Sequence, residues 1–448
     1  MSTPDKTQIK IRFFTREEDS QLQVEDKPLY VPISLKRFGL SEIVNHLLST
    51  EKAIPFDFLI NGTLLRTSIE EYLTANALSS EAYLSLEYTR SVLPPSYLAS
   101  FNNEDWVSSL DIAHGEILSG SYDGIVRTWD LSGKVTKQYA GHSGAIKTVA
   151  WVSESRVVSG GLDRQIRLWK HSSAKTEALK TVEEDDEPEA GKTLAILEGH
   201  KAAISQLRVN GNRILSAGYD NAIGLWSTNY KEMTIVDPMA DPNNAVTSTA
   251  AKKRRKLALQ DSTVRRRAPL AFLESHSQPV EDLIFDSHDS SVAYSVSQDH
   301  TVKTWDLVTA RAIDTRTTGF SLLSILQLEK LNLLACGSSA RHITLHDPRV
   351  STGAVTQQQL NGHKNMVVSL AASPDSEYMF SSASHDGTVK VWDVRAQKAL
   401  YTITRESKAE KGSDKVFAVQ WSKDVGIVSG GEDKKIQINS GVGQAGAN

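Results

Sequence analysis

The chain has 448 residues, of which 40% are hydrophobic and 23% charged, and its formal net charge is -4 at pH 7. This composition is typical of a folded globular protein and excludes a wholly disordered chain, while the length predicts more than one domain. The single cysteine, Cys336, excludes an intramolecular disulfide and a cysteine-built zinc site, and it fits a reducing compartment. No long apolar run is present, so we expect neither a secreted nor a membrane-spanning protein.

Residues 8–90 carry the strand and helix signals of a small α+β domain. Strands are predicted at 8–15, 28–35, 55–62 and 83–89, with a short turn around 68–73. A helix is predicted at 39–49, where Ile43, Leu47 and Leu48 recur near helical spacing and are expected to pack on a sheet. This order of elements resembles ubiquitin, which implies a β-grasp fold. Pro94 and Pro95 then favour a stiff linker.

From residue 102 to 448 the sequence is repetitive. Segments with an Asp six residues before a Trp or its variant occur at 120–130, 160–170, 217–227, 296–306 and 383–393. Two degenerate copies follow the same pattern at 337–347 and 430–440. The first has Ala340 and His346 in the Asp and Trp positions, and the second keeps Asp433 but has Asn439 in the Trp position. Repeats of this period predict an all-β propeller, here with seven blades.

The repeated residues resemble those of the WD40 family specifically. The resemblance implies that four blades each contain a buried hydrogen-bonded tetrad of His, Ser, Asp and Trp. The predicted tetrads are His142, Ser159, Asp163 and Trp169; His200, Ser216, Asp220 and Trp226; His276, Ser295, Asp299 and Trp305; and His363, Ser382, Asp386 and Trp392. Ser, His and Asp together also suggest a nucleophilic triad, but one copy per blade favours a structural network. We therefore expect no enzyme activity, no cofactor and no metal ion of the protein's own.

The last repeat is followed by only a short tail, so its blade lacks a fourth strand. Residues 91–101 contain an unassigned strand-like segment, 96–101, ahead of the first blade. WD40 proteins that this chain resembles close the ring with such a strand, and closure removes an exposed sheet edge. We expect residues 91–101 to form the linker and the ring-closing strand.

Two insertions are predicted from the intervals between tryptophans. The interval is 40 from Trp129 to Trp169 (169 − 129), 57 from there to Trp226 (226 − 169) and 79 to Trp305 (305 − 226). The added residues, about 171–191 and 227–268, lie between the third and fourth strands of blades two and three.

Each insertion contains a dense run of one charge. The first carries the acidic residues 183–187, which we interpret as a solvated linker, with a partner contact as the alternative. The second carries Lys252, Lys253, Arg254, Arg255 and Lys256, followed by the arginines 265–267. We interpret this cluster as a nuclear-import signal, with a nucleic-acid patch or a bland surface loop as the alternatives.

A ubiquitin-like domain joined through a Pro-Pro linker to a seven-bladed propeller is a narrow combination. With residues 87–94 (EYTRSVLP) at the junction and 105–110 (DWVSSL) opening the first blade, the chain resembles a family of WD-repeat ribosome-biogenesis factors over nearly its full length. The resemblance implies work with pescadillo and the block-of-proliferation protein on pre-ribosomal particles of the large subunit, in the nucleolus and nucleoplasm. The Notchless family is the closest alternative, but its propeller has eight blades. A generic WD40 peptide or RNA reader is a further alternative.

The resemblance also implies how the two domains are used. The propeller docks onto the propeller of the block-of-proliferation protein, and the ubiquitin-like domain is bound by midasin, an AAA-type ATPase that strips the factor from the pre-ribosome. A carboxylate at a loop tip completes the shell of a Mg²⁺ held by midasin, and Glu81 fits that role best. The docking candidates are Tyr122, Leu162, Tyr219 and His385, which flank the Asp turns on one face.

Overall fold

The computed structural model describes residues 7–16, 22–25, 27–50, 52–79, 83–171, 189–236, 264–350, 358–405 and 414–441. The chain divides into two compact units, one containing residues 1–96 and the other most of residues 97–439. Each unit is described by itself. Among the described residues, no helix is both long and apolar enough to cross a membrane.

The first unit is one mixed sheet with two helices. Its strands are β1 (Gln8–Phe14), β2 (Leu29–Pro32), β3 (Phe56–Ile60), β4 (Thr63–Leu64) and β5 (Tyr83–Arg90), and its helices are α1 (Arg37–Leu48) and α2 (Ile69–Ala75). The sheet order is β2-β1-β5-β3-β4, with β1 and β5 parallel at its centre. The segment predicted as a turn around 68–73 is in fact mostly helix α2, because the Ser68 side chain accepts a hydrogen bond from the Glu71 N–H and caps it.

Helix α1 packs on the sheet as predicted, but only two of the three predicted residues face it. Leu40 and Val44 are fully buried, Ile43 and Leu48 are partly buried, and Leu47 is 40% exposed. The prediction that Leu47 faces the sheet was wrong, since positions 40, 44 and 48 share one side of a 3.6-residue helix and position 47 lies beside it. The helix covers a core that includes Ile11, Phe58 and Leu86.

The second unit contains seven sheets among its described residues, which we number as blades one to seven in chain order. The main strands of blade one are β7 (Val107–Ala113), β8 (Glu116–Ser121), β9 (Ile125–Trp129) and β10 (Val135–Ala140), and those of blade two are β11 (Ile146–Ser153), β12 (Arg156–Gly161), β13 (Ile166–Lys170) and β15 (Lys192–Leu197). Blade three contains β16 (Ile204–Asn210), β17 (Arg213–Gly218), β18 (Ala222–Ser227) and β20 (Ala271–Glu274). Blade four contains β21 (Val280–Phe285), β22 (Val292–Ser297), β23 (Thr301–Asp306) and β24 (Arg311–Thr317).

Blades five and six are built in the same way. Their strands are β25 (Leu322–Leu328), β26 (Leu333–Ser338), β27 (His342–His346), β28 (Gln358–Asn361); and β29 (Val367–Ala372), β30 (Met379–Ser384), β31 (Thr388–Asp393), β32 (Tyr401–Thr404). Short 3₁₀ helices lie at Tyr230–Glu232 and Glu329–Leu331. Within each blade, consecutive strands are antiparallel. The second-to-third-strand turns therefore share one face with the loops between blades, which we call the upper face.

Blade seven combines the two ends of the repeat region. Its strands β33 (Val416–Ser422), β34 (Gly426–Gly431) and β35 (Lys435–Asn439) are joined by β6 (Tyr97–Asn102), which pairs antiparallel with β35. The inner strand β33 also packs against β7 of blade one. The segment ahead of blade one thus completes the last sheet, and a would-be open edge at β35 is covered.

Polar side chains link each inner strand to the next around the central channel. The inner strand of a blade has one unpaired edge, whose backbone groups need partners. Ser109 and Asp111 of β7, for example, accept from the backbone N–H groups of Val149 and Trp151 at 3.2 and 2.7 Å. Equivalent links involve Thr148, Ser205, Asp282, Ser324, Ser369 and Gln420. Burial raises the pKa of Asp111 and of Asp282 in this belt.

Candidate functional site

The tetrads occupy the interior of blades two, three, four and six. In each, the aspartate accepts from the imidazole Nδ1–H, and Nε2 accepts from a serine hydroxyl that itself accepts the tryptophan indole N–H. The Nδ1–carboxylate distances are 2.9 Å for His142–Asp163, 3.0 Å for His200–Asp220, 2.8 Å for His276–Asp299 and 2.8 Å for His363–Asp386.

The serine hydroxyl is the central member of each tetrad. The hydroxyls of Ser159, Ser216, Ser295 and Ser382 lie 2.8, 2.7, 2.7 and 2.7 Å from imidazole Nε2. The same hydroxyls lie 2.8, 2.8, 2.7 and 2.7 Å from the indole Nε1 of Trp169, Trp226, Trp305 and Trp392. All four serines are fully buried. Each hydroxyl is thus engaged on both sides and shielded, so these side chains cannot act as nucleophiles on a bound substrate.

The tetrad aspartates also hold the loops between blades. Their carboxylates accept the backbone N–H of the residue after each histidine, as Asp386 does from Lys364 at 2.8 Å. Burial opposes ionisation, but the histidine and backbone hydrogen bonds prevail and lower the pKa of the tetrad aspartates, as at Asp163 and Asp220. The tetrads therefore position the upper-face loops rather than perform chemistry.

Blade seven has an equivalent network that the sequence pattern does not reveal. In the position of the tetrad histidine stands Arg405, whose Nε and Nη2 each donate to Asp433 at 2.9 Å and whose Nη1 donates to Ser429 at 3.0 Å. The guanidinium also donates to the Lys435 carbonyl at 2.6 Å. The signal available in the sequence was the retained pair of Ser429 and Asp433, four residues apart as in the other blades.

Blade one likewise replaces the histidine. Asn103 accepts from the guanidinium of Arg127 at 3.2 Å, and Arg127 forms an ion pair with Asp123 at 2.7 Å. Ser119 still accepts from the Trp129 indole at 2.8 Å.

Blade five has lost the serine, the aspartate and the tryptophan of the tetrad. Cys336 stands in the serine position, Ala340 in the aspartate position and His346 in the tryptophan position. His346 Nε2 instead lies 2.9 Å from the Thr344 hydroxyl, and burial lowers the pKa of His346 to about 4.

Two of the docking candidates lie in an aromatic cluster on the upper face. Tyr122 contacts Trp106 and Phe417, with ring centroids 5.3 and 6.1 Å away, and the Lys147 ammonium lies 5.6 Å from its ring. His385 meets the Phe417 ring edge-on at 5.6 Å. Burial lowers the pKa of His385. Trp106 and Phe417 come from the starts of blades one and seven, and neither was predicted from the sequence to be part of this surface.

The other two docking candidates are more exposed on the upper face. Leu162 is 44% exposed and Tyr219 is 37% exposed, and both follow the second strand of their blades. The Tyr219 hydroxyl is hydrogen-bonded to Glu281, and burial together with this carboxylate raises the pKa of Tyr219. Burial likewise raises the pKa of Glu281. Exposed apolar and aromatic side chains beside aromatic contacts are the features of a protein-binding surface.

The arginines at 265–267 are structural, which corrects their inclusion in the basic cluster. They form strand β19 (Arg265–Arg267), which pairs parallel with β15 of blade two. Arg266 and Arg267 are buried. Arg266 forms an ion pair with Glu198, and the Arg267 Nε donates to the Tyr230 carbonyl at 2.6 Å. A solvated patch would leave these guanidinium groups in water, so the charge run was misinterpreted here.

The first insertion also ends as an added outer strand. Strand β14 (Glu189–Ala190) pairs parallel with β10 of blade one. The acidic run 183–187 lies outside the described residues, as do the import candidates Lys252, Lys253, Arg254, Arg255 and Lys256.

The metal-binding candidate of the first unit, Glu81, also lies outside the described residues, which resume at Tyr83. Glu87, further along β5, is buried and lies 3.5 Å from the Arg16 guanidinium. Within the described part of the chain, no group of three or more His, Cys, Asp or Glu side chains is arranged to hold a metal ion.

Comparison with known proteins assigns both units. The NLE (NUC135) domain family matches residues 9–73. The WD domain, G-beta repeat, matches residues 96–130, 133–170, 191–227, 267–306 and 354–393. The crystal structure of the WD40 propeller domain of Doa1 superposes with a TM-score of 0.57, covering 77% of this chain and 97% of that chain at 18% identity. The second unit is therefore a WD40 β-propeller, as predicted, preceded by an NLE domain.

Full-length relatives place the chain more narrowly. It is 66% identical to the ribosome biogenesis protein YTM1 of Kluyveromyces lactis, covering 98% of this chain and 99% of the relative. It is 66% identical to YTM1 of Saccharomyces cerevisiae S288c, covering 98% of this chain and 98% of the relative. It is 63% identical to YTM1 of Candida glabrata, covering 98% of this chain and 99% of the relative. The chain belongs to the YTM1 family of ribosome biogenesis proteins, which confirms the family predicted from the sequence.

Proposed function

We propose that this protein is a non-catalytic assembly factor in the maturation of the large (60S) ribosomal subunit and the processing of its precursor rRNA. In this proposal the propeller is the anchor and the N-terminal unit is the element by which the factor is removed. The observation that carries the proposal is the upper face, where Leu162 and Tyr219 are exposed on the same face as a ring cluster of Trp106, Tyr122 and Phe417. Aromatic and aliphatic anchors of this kind dominate protein interfaces.

The partner of the upper face is the propeller of the block-of-proliferation protein, with pescadillo in the same complex on pre-ribosomal particles. The absence of catalysis is supported by the tetrads, in which every serine hydroxyl is buried and bonded on both sides. The site of action is the nucleolus and nucleoplasm, with Lys252, Lys253, Arg254, Arg255 and Lys256 read by an acidic import receptor. No membrane contact is part of the proposal.

The N-terminal unit is bound by midasin through Glu81, which supplies one oxygen ligand to a Mg²⁺ held by the ATPase. In the sequence, Glu81 lies two residues ahead of the central strand β5, which supports this role. Force applied by the ATPase would then reach the centre of the sheet, where β5 pairs with β1 and β3.

The test compares Glu81→Ala with Glu70→Ala, a control on the exposed surface of helix α2. We expect Glu81→Ala to abolish Mg²⁺-dependent binding of the midasin metal domain and to leave binding of the partner propeller unchanged. Glu70→Ala should retain both interactions. Full midasin binding by Glu81→Ala, or equal losses in the two variants, would contradict the assignment.

A further inference from the structure

The degenerate blade five leaves an open cleft on the upper face. The cleft encloses about 640 Å³ and is lined by Phe320, Ser339, Ala340, Arg341, Asn361, Gly362 and His363. It lies between the turn after β26 and the loop that leads into blade six. In blades two, three, four and six the corresponding turn carries an aspartate that binds the histidine of the preceding loop. Ala340 has no such group, so this part of blade five is not closed by a tetrad.

The side chains of the cleft combine one apolar anchor with one cation. Phe320 is 48% exposed and is held from beneath by the His342 ring, which it meets edge-on at a centroid distance of 5.2 Å. Arg341 is exposed and makes no hydrogen bond or ion pair with the part of the chain that the structure describes. Met366, 39% exposed, lies on the loop that carries His363.

The charge in the cleft has one sign. The cleft's other ionisable side chain, His363, is buried and engaged with Asp386 and Ser382. With Ala340 in the aspartate position, the turn between β26 and β27 contributes no carboxylate to the cleft. The guanidinium is therefore available for a bidentate hydrogen bond with a carboxylate of a ligand.

We propose that this cleft binds a short acidic peptide segment of a partner protein, with one large apolar side chain packed on Phe320 and a neighbouring carboxylate on Arg341. This proposal rests on different residues from those of the propeller-docking and midasin assignments. A protein segment fits better than RNA, because RNA grooves combine several cations along the backbone with stacking platforms, whereas the lining here offers one free cation among the described residues.

The test uses a phage library of random dodecapeptides panned against the immobilised full chain, followed by fluorescence titration of the selected peptides. We expect the selected peptides to place an Asp or Glu beside a large apolar residue. Arg341→Glu and Phe320→Ala should each weaken their binding by about tenfold or more. Affinity should also fall as salt rises from 50 to 500 mM, since the ion pair is exposed.

Two controls lie on the opposite face, Val308 in the turn between β23 and β24 and Arg311 at the first position of β24. Arg311→Glu reverses an exposed charge there, and Val308→Ala trims a side chain that is 81% exposed. Both should bind the peptides like the wild type, and thermal melting would verify that all four variants are folded. The proposal is overturned if no peptide is selected, if the selected peptides are basic, or if Arg341→Glu and Phe320→Ala bind them normally. Tighter binding of a labelled ten-nucleotide uridine RNA, lost in Arg341→Glu, would also overturn it in favour of RNA.

Discussion

Replacing Arg405 tests whether blade seven depends on its substitute for the tetrad. The side chains of Arg405 and Asp433 are 3% and 6% exposed, and the guanidinium donates to Asp433, Ser429 and the Lys435 carbonyl. Arg405→Ala leaves the Asp433 carboxylate buried without its counter-ion. Removing one partner of a buried pair costs about 3–5 kcal/mol, so we expect a loss of that size in the free energy of unfolding.

Two further variants separate charge from geometry. Arg405→Lys keeps the positive charge but loses the planar fork, and we expect an intermediate loss of about 1–2 kcal/mol. The double variant Arg405→Met/Asp433→Leu removes both charges and should recover most of the loss seen in Arg405→Ala.

The assay is urea unfolding of the full chain, followed by tryptophan fluorescence. Because blade seven contains the ring closure, Arg405→Ala should also expose sheet edges and raise the tendency to aggregate. An Arg405→Ala variant within about 0.5 kcal/mol of the wild type would refute the reasoning, since surface substitutions typically fall in that range. A double variant less stable than Arg405→Ala would refute the claim that the unpaired carboxylate is the cause.

Three further predictions concern other parts of the propeller. Phe101→Ala on the ring-closing strand should lower the free energy of unfolding by about 3–4 kcal/mol, because Phe101 is 8% exposed and stacks on Trp129. Tyr97→Ala, at a position that is 61% exposed, should have little effect. Equal urea midpoints for the two variants would contradict this prediction. His346 has a pKa of about 4 in the fold, below the unfolded value of about 6.5, so the unfolded chain binds the extra proton and stability falls as pH drops through this window. Between pH 7 and pH 5, the free energy of unfolding of His346→Phe should therefore fall by about 2 kcal/mol less than that of the wild type. Equal falls in the two proteins would count against a buried neutral imidazole. Arg266→Ala should lower the free energy of unfolding by about 3 kcal/mol, because Arg266 pairs with Glu198 in blade two. Lys253→Ala should leave the urea midpoint unchanged. Equal midpoints for the two variants would contradict the structural role of strand β19.

The repeat pattern predicts most of the propeller because each blade needs the same turn and the same buried network. The interval of six residues runs from the turn between β12 and β13, where Asp163 lies, to Trp169 near the far end of β13. This spacing recurs from blade to blade, so Asp163 and Trp169 are identifiable from sequence. The strand ahead of blade one was also predictable. The last blade has only three strands of its own, so the outer edge of β35 needs a strand from elsewhere in the chain.

Other features depend on contacts between residues that are distant in sequence. Arg405 replaces a histidine with a different side chain, and its partner Asp433 is 28 residues away, so no local pattern marks it. The arginines 265–267 read as a solvated charge run because their partners, Glu198 and Tyr230, come from other segments of the chain. Leu47 was assigned to the sheet side of α1 by spacing alone, and small rotations of a short helix decide which apolar residue is covered.

The central claim is that the upper face of the propeller carries the partner interface, and isothermal titration of the full chain with the block-of-proliferation propeller tests it most directly. Leu162→Glu places a charge on an upper-face side chain that is 44% exposed, and Val308→Glu does the same on the opposite face at a position 81% exposed. We predict that Leu162→Glu weakens binding by about tenfold or more and that Val308→Glu binds like the wild type. Normal binding by Leu162→Glu together with a loss in Val308→Glu would contradict the account.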